Sequence, residues 1–460
     1  MRNTILFYLA AVGCLTGISQ AEVPGVIAIR NTRIHTATGP PIQGGTVLVR
    51  DGLIEAVGAN VAIPADAWVI DGNSLTVYPG LIDALSRWGI PGAPSGAAGA
   101  GGRTPSLDAP SPLADPSPGP VPILGPAPAA PPARGPEDRP SNSSWVRAQD
   151  LVRATDRSIA AARSAGFTTS VTYPASGIFA GQGAVINLAG DKPGQMVVAA
   201  PAGQYHSLTV RSFSSFPGSL MGVIAYIRQV YLDADHYQAA LKAYQANPRG
   251  SRRPAYDRAL EGVLESPRML LPATRAVEID RMIRFAAELK RKAVLYGGHE
   301  SYRAADLLKK TSTPILIDLR WPERPRESDP ERRDSLRTLE LREKAPGSPA
   351  ALAKAGVAFA FYSGGLERPA DVRAAVRKAI TAGLSEEQAL RALTLAAAEI
   401  YGVGDRIGSI EPGKIANLVI TGGSLFDEST KVKFVLIDGV KYDPAPESTP
   451  PTSSRTEAIQ

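Results

Sequence analysis

Val277-Glu278-Ile279-Asp280-Arg281-Met282-Ile283-Arg284-Phe285-Ala286-Ala287-Glu288-Leu289 is followed, after Lys290-Arg291-Lys292, by the short apolar run Ala293-Val294-Leu295-Tyr296. Ile279, Met282, Ile283, Ala286 and Leu289 recur at helical spacing, so the spacing predicts one amphipathic helix feeding one buried strand. The unit repeats along the chain. A helix from Arg157 to Ala165, stopped by Gly166, precedes Thr168 to Tyr173; a helix from Tyr302 to Lys310 precedes Pro314 to Leu319; a helix from Pro349 to Ala355, stopped by Gly356, precedes Val357 to Tyr362. Glycine just past a helix end supplies the left-handed cap. Ser385, with Gln388 three residues on, opens a last helix in which Ala389, Leu390, Leu393 and Ala397 face inward. Helix and strand alternating over about 320 residues predict a parallel barrel in preference to an open sheet.

Outside these repeats the texture is β. Val26 to Arg30, Thr46 to Arg50, Leu53 to Val57 and Trp68 to Asp71 are short β-type runs, and Asp51-Gly52 is a hairpin signal between two of them. Ala416 to Thr421 and Val432 to Ile437 repeat the pattern near the other end, with Asp438-Gly439 as a second tight turn. The two segments are expected to pair in one small sheet domain. Its predicted parts are residues 22–78 and 405–443, flanking a barrel over 79–404, with a disordered tail at 444–460. The stretch at 91–144 is dominated by Pro, Ala, Gly and Ser and cannot bury enough apolar surface to order itself, so it reads as a polyproline-like loop inserted in the barrel. Following the first barrel strand, it would hang over the mouth, either as a lid or partner-binding arm or as a passive spacer.

Composition removes several classes of function. The 460 residues carry 50 Lys+Arg against 44 Asp+Glu, and clusters such as Glu331 to Arg342 alternate in sign, so no basic block marks a nucleic-acid surface. Residues 1–21 read as an export signal, with Arg2, an apolar core from Ile5 to Leu15, and Ser19-Gln20-Ala21 as the cleavage site. No other apolar run approaches the roughly 18 residues of a transmembrane span. The expectation is a periplasmic or secreted protein. Lipoprotein anchoring through Cys14 is the weaker reading, because Ala11 stands where such sites usually have Leu. Cys14 is the only cysteine, so cleavage after Ala21 leaves no disulfide, thiolate ligand or thiol nucleophile. There is no Gly-x-Ser-x-Gly elbow, and Gly177-Ile178-Phe179-Ala180-Gly181-Gln182-Gly183 lacks the Lys and following helix of a phosphate loop.

Tyr78-Pro79-Gly80-Leu81-Ile82-Asp83, Gly181-Gln182-Gly183-Ala184-Val185-Ile186-Asn187-Leu188 and the run from Arg406-Ile407-Gly408-Ser409-Ile410-Glu411-Pro412-Gly413-Lys414 to Ile420 resemble landmarks of the amidohydrolase superfamily, in its imidazolonepropionase-like branch. The resemblance implies an α/β fold, a distorted (β/α)8 TIM barrel with a small β-sandwich formed by both termini. It also implies metal-dependent hydrolysis of C–N bonds, with zinc or another divalent ion held by a His-x-His pair after the first strand, single His residues after the fifth and sixth, and an Asp after the eighth.

The residues at those places differ. Ala84, Leu85 and Ser86 follow Asp83; Pro272 stands after the fifth strand, Gly297 after the sixth, and Tyr362 or Ser363 after the eighth. No His-x-His occurs, and of the four histidines, His35, His206, His236 and His299, only His299 is well placed at a strand end. The sequence therefore predicts no metal ligands and no cofactor. It predicts a degenerate superfamily member whose cleft binds a small molecule, a peptide or a partner protein; the alternative is an active hydrolase with an atypical metal site or none. His299 and Glu300 are the candidate acid/base pair, against a helix-capping role. Asp83, Asp318, Arg320, Trp321, Tyr362 and Ser363 are the cleft candidates; the carboxylate, guanidinium and indole at 318–321 suit a planar or anionic group, and Tyr362 suits a filled-in former metal site. The sequence leaves the oligomeric state open.

Overall fold

The computed structural model describes residues 25–91, 139–210, 216–324, 333–366 and 368–444. The predicted export signal with Cys14, most of the Pro-rich segment at 91–144 and all but the first residue of the tail at 444–460 lie outside the described residues.

The chain opens with five strands, β1 (Val26–Ile34), β2 (Ile42–Arg50), β3 (Leu53–Gly58), β4 (Trp68–Asp71) and β5 (Thr76–Pro79). Between β2 and β3, Asp51 and Gly52 take positive φ of 48° and 80°, the conformation whose twist matches that of a two-residue hairpin. Gly80 then turns the chain into the barrel.

The barrel strands are β6 (Leu81–Ser86), β7 (Phe167–Thr172), β8 (Phe179–Gln182), β9 (Ala184–Asn187), β10 (Val197–Ala199), β11 (Gln204–His206), β12 (Met269–Ala273), β13 (Ala293–Gly297), β14 (Ile315–Asp318) and β15 (Phe359–Tyr362). Helices α1 (Ala148–Leu151) and α2 (Arg157–Ser164) lie between β6 and β7, and α3 (Pro193–Met196) precedes β10. The 27-residue α4 (Leu220–Ala246) and α5 (Arg258–Glu265) join β11 to β12. Then come α6 (Ala276–Glu288), α7 (Ala305–Thr311), α8 (Leu336–Lys344) with α9 (Ser348–Ala355), and, after β15, α10 (Asp371–Thr381), α11 (Glu386–Ala392) and α12 (Leu395–Tyr401). None of the described helices is long and apolar enough to cross a membrane.

Strands β11 to β15 pair in parallel without interruption, and β6 pairs in parallel with β7. The third place is where the barrel departs from regularity. It is filled by β8 and β9, which run antiparallel to β11 and β7 respectively. The glycine-rich stretch at 177–183 is therefore strand and turn. At Gly183 a β-carbon would lie 2.2 Å from the Tyr173 ring, so the backbone itself is the surface on which that ring packs. The expected last helix is two: Thr394, with φ −136° and ψ −98°, breaks it between α11 and α12 while its Oγ1 donates to the Leu390 carbonyl at 2.7 Å.

The C-terminal strands β16 (Leu418–Thr421), β17 (Val432–Ile437) and β18 (Val440–Tyr442) return to the first five. β16 pairs antiparallel with β5, so both ends of the chain share one sheet, in the order β18-β17-β16-β5-β1-β2-β3 with β4 on β1. Ile27, Ile29, Val47 and Val49 share a buried core with Leu418, Ile420 and Leu436.

Candidate functional site

The carboxyl ends of barrel strands carry the chemistry of this architecture. Here four of them carry tyrosines: Tyr173 after β7, Tyr205 in β11, Tyr296 in β13 and Tyr362 at the end of β15, all nearly inaccessible. These strands hold the second, fourth, sixth and eighth places. Tyr205 is level in register with Leu270 and through it with Val294, two residues short of Tyr296; Tyr296 is level with Leu316 and Ala360, two residues short of Tyr362. An advance of two residues for every second strand is the stagger of a tilted eight-stranded barrel, so the rings lie at one height. Their centroids are 5.8 Å (Tyr173 to Tyr205), 5.2 Å (Tyr205 to Tyr296) and 6.4 Å (Tyr296 to Tyr362) apart, spacings at which aromatic rings attract. The Tyr296 hydroxyl donates to the His206 carbonyl at 2.9 Å. Burial pushes the Tyr173 phenol well above its ordinary pKa.

His299 follows Gly297 and Gly298, both with positive φ, which turn the chain sharply at the end of β13. Its Nε2 lies 3.1 Å from the Asp318 carbonyl, its ring is tilted against Trp321 at 5.9 Å, and Ser348 Oγ donates to its backbone oxygen at 2.8 Å. Burial, reinforced by the Arg320 charge, lowers its pKa to about 4, so the ring is neutral at ordinary pH. Glu300 turns elsewhere: Oε2 accepts from Ala276 N at 3.0 Å, and Oε1 lies 3.5 Å from Arg337 Nη2. With Glu278 Oε2, which accepts from Thr274 N and Arg275 N, it satisfies the first amides of α6, where a negative charge also complements the helix dipole. The two neighbours thus serve different elements, one β14 and the other α6.

The run at 318–321 divides likewise. Asp318 Oδ1 accepts from Arg320 N at 2.8 Å and is covered by the turn after β15; a β-carbon on Gly364 would lie 1.5 Å from that oxygen. The Trp321 indole is buried and donates to the Ala375 carbonyl on α10 at 2.8 Å. Arg320 is exposed. Asp83 and Ser363 meet: the Ser363 amide donates to Asp83 Oδ1 at 3.0 Å across the junction of β6 and β15. Asp83 Oδ2 is buried and accepts no hydrogen bond.

The structure thus brings Asp83 together with Ser363, and His299 together with Asp318 and Trp321, and buries all of these with Tyr362. Among the described residues, no three His, Cys, Asp or Glu side chains converge as metal donors. His35 stacks on Tyr78 at 4.6 Å in the terminal sheet, and His206 sits between β12 and α4, with Nδ1 3.3 Å from the Leu270 carbonyl and Nε2 3.3 Å from the Tyr231 hydroxyl. Two cavities are lined by residues other than these strand ends. One of about 670 Å³ is lined by Arg139, Asp233, Tyr237, Tyr256 and Arg258, and one of about 300 Å³ by Arg147, Gln182 and Glu265. Three of the four layer tyrosines escaped the sequence reading; the signal that could have found them is a tyrosine at the end of every second strand.

Comparison with known proteins agrees with this architecture. Residues 279–441 match the amidohydrolase family. The crystal structure of an amidohydrolase from Thermotoga maritima MSB8 shares 25% identity and a TM-score of 0.71, covering 91% of this chain and 100% of that one. Molinate hydrolase, at 14% identity and a TM-score of 0.50 over 94% of this chain and 98% of its own, shares the fold. So does phenylurea hydrolase B, at 15% and 0.50 over 91% and 97%. No curated protein matches the sequence. The continuous parallel ladder of β11 to β15, the terminal strands paired in one sheet and the family match lead to one assignment: residues 279–441 carry an amidohydrolase-family domain, within a chain that shares the fold of the Thermotoga maritima amidohydrolase.

Proposed function

We propose that this is an exported, non-hydrolytic member of the superfamily, whose barrel mouth binds a small molecule, a peptide or a partner protein without cleaving C–N bonds. The observation that carries the reading is the tyrosine layer: aromatic rings fill the level at which metal ligands would have to converge. Pro272 and Gly297 offer no side-chain donor there, and the buried carboxylates are engaged separately, Asp318 by the turn at Arg320 and Asp83 by Ser363. This donor set does not fit a tightly held divalent ion, which needs three or four nitrogen and oxygen ligands at about 2.0 to 2.2 Å. Arg320 supplies an exposed guanidinium beside these strand ends, suited to an anionic group on a ligand.

The competing reading is a working hydrolase of non-peptide amides, lactams or cyclic ureas, with an atypical metal site or none and His299 and Glu300 as its acid/base pair. The separate partners of these two side chains favour the non-hydrolytic reading. Elemental analysis of the mature protein, produced with zinc, manganese and iron available and dialysed without chelator, decides between them when combined with an amide, lactam and dipeptide hydrolysis screen. Metal below about a tenth per chain and no turnover is the expected result; near-stoichiometric metal or turnover overturns the proposal.

A further inference from the structure

The groove of about 670 Å³ is walled by α4, by the link from α4 to α5, by the start of α5 and by Arg139, the first described residue after the proline-rich stretch. Tyr237 and Ala240 come from α4, Pro254 and Tyr256 from the link and Leu260 from α5. Tyr256 is 77% exposed, so its ring stands at the rim. Arg139 is tied into the wall: Nη1 donates to Asp233 Oδ2 at 3.2 Å, and Nε donates to Asp257 Oδ2 at 3.1 Å, on the residue that caps α5. In the same link Arg249, Arg252 and Arg253 are exposed and form no ion pair among the described residues. The groove thus combines an apolar wall, an exposed ring and a cationic flank.

We propose that this groove is the docking site of the chain's own residues 126–138, taken up against Tyr256 and the arginine-bearing link. Pro126, Pro128, Pro131, Pro132 and Pro136 fall in that stretch, with Pro128-Ala129-Ala130-Pro131 as a spaced proline pair. Proline-rich segments of this kind dock on exposed aromatic rings, because a backbone already restricted to polyproline II loses little entropy on binding. The tether singles out the chain's own segment over other occupants. Residue 138 runs directly into Arg139 in the groove wall, and even fully extended the chain from Arg139 back to Pro131 spans at most about 29 Å. A tether so short gives an effective concentration on the order of millimolar, so a contact too weak to hold a separate peptide is occupied within the chain. Charge points the same way. Residues 92–138 carry four acids, Asp108, Asp115, Glu137 and Asp138, against two bases, Arg103 and Arg134, opposite in sign to the link with Arg249, Arg252 and Arg253. Arg139 offsets Asp233 and Asp257, the carboxylates of the wall that would otherwise repel Glu137 and Asp138.

Trypsin reads the docking, because the basic residues of 92–138 are Arg103, outside the docked stretch, and Arg134, within it, each followed two residues later by proline. Brief digestion of the full mature chain is compared with digestion of a synthetic peptide of residues 98–138, which sets the intrinsic rates. Cleavage after Arg134, relative to Arg103, should be about tenfold or more slower in the protein than in the peptide. Tyr256→Ala, and separately Arg252→Glu with Arg253→Glu, should bring the ratio to within about threefold of the peptide's; all three side chains are exposed, so the fold should survive the changes. A peptide-like ratio in the native protein, or protection unchanged in both variants, overturns the proposal. So does protection that falls on dilution, which would assign the groove to the segment of a second copy. Binding of an added fluorescein-labelled peptide of residues 126–138 at micromolar concentration by the native chain would show the groove to be empty, and overturns it as well.

Discussion

The two sides of the barrel are closed by different means. From β11 to β15 the strands are joined by an unbroken parallel ladder, and the buried titratable groups there include His206 and His299, each held to a backbone carbonyl. At β6 and β15 the ladder stops and a buried carboxyl spans the gap. Burial acts on both kinds of group by penalising the charged form, which lowers a histidine and raises an aspartic acid. The two sides should therefore answer pH in opposite directions. The contrast shows that one physical term, desolvation, can protect one part of a fold in base and another in acid.

The largest expected effect comes from the turn that covers the junction. Gly364 has a φ of 60° and its β-carbon would overlap Asp318 Oδ1, so Gly364→Val should cost on the order of 4 kcal/mol or prevent folding, read as the urea midpoint. A cost under about 1 kcal/mol would show that the turn is loose and the comparison overdrawn. Tyr205→Ala removes the central ring of the layer and should cost about 3 to 5 kcal/mol by the same assay. Acidification tests the ladder side. His206 is fully buried, with a pKa lowered to about 4 by desolvation, so its contribution is present above the unfolded value near 6.5 and is lost as pH falls through 4. The loss is about 3 kcal/mol, and His206→Gln should flatten the stability profile between pH 6.5 and 4. A profile unchanged by that substitution would remove His206 from the account. The smallest effect is Glu300→Ala, which should cost about 1 to 2 kcal/mol as a lost helix cap, with ligand binding changed less than about tenfold.

Much of the fold was legible because it is written in local pattern. The helix at Ala276–Glu288 and the strand at Ala293–Gly297 fall within a residue of the positions set by Ile279, Met282, Ile283 and Ala286. Trp68–Asp71 and Val432–Ile437 coincide with the apolar runs that marked them, and Asp51-Gly52 and Asp438-Gly439 are the tight turns their residues require. The antiparallel β8 and β9 were not legible, because a short glycine-rich run carries no periodicity and its direction is chosen by partners a dozen or more residues away. The break at Thr394 was hidden for a related reason: a threonine is ordinary in a helix until its hydroxyl takes the Leu390 carbonyl.

The candidate site divides along the same line. The sequence by itself determined which residues stand at the strand ends, Pro272, Gly297 and Tyr362 among them, and that His299 and Glu300 adjoin a barrel strand. Only the tertiary structure decided that Tyr173, Tyr205, Tyr296 and Tyr362 meet at one height, that Trp321 turns to α10, and that Asp83 lies sealed against Ser363 with one oxygen unpaired. Residue type and spacing set local conformation through sterics and hydrogen bonds a few residues apart. Which side chains meet across a barrel depends on strand stagger and closure, and these are set by the packing of the whole chain.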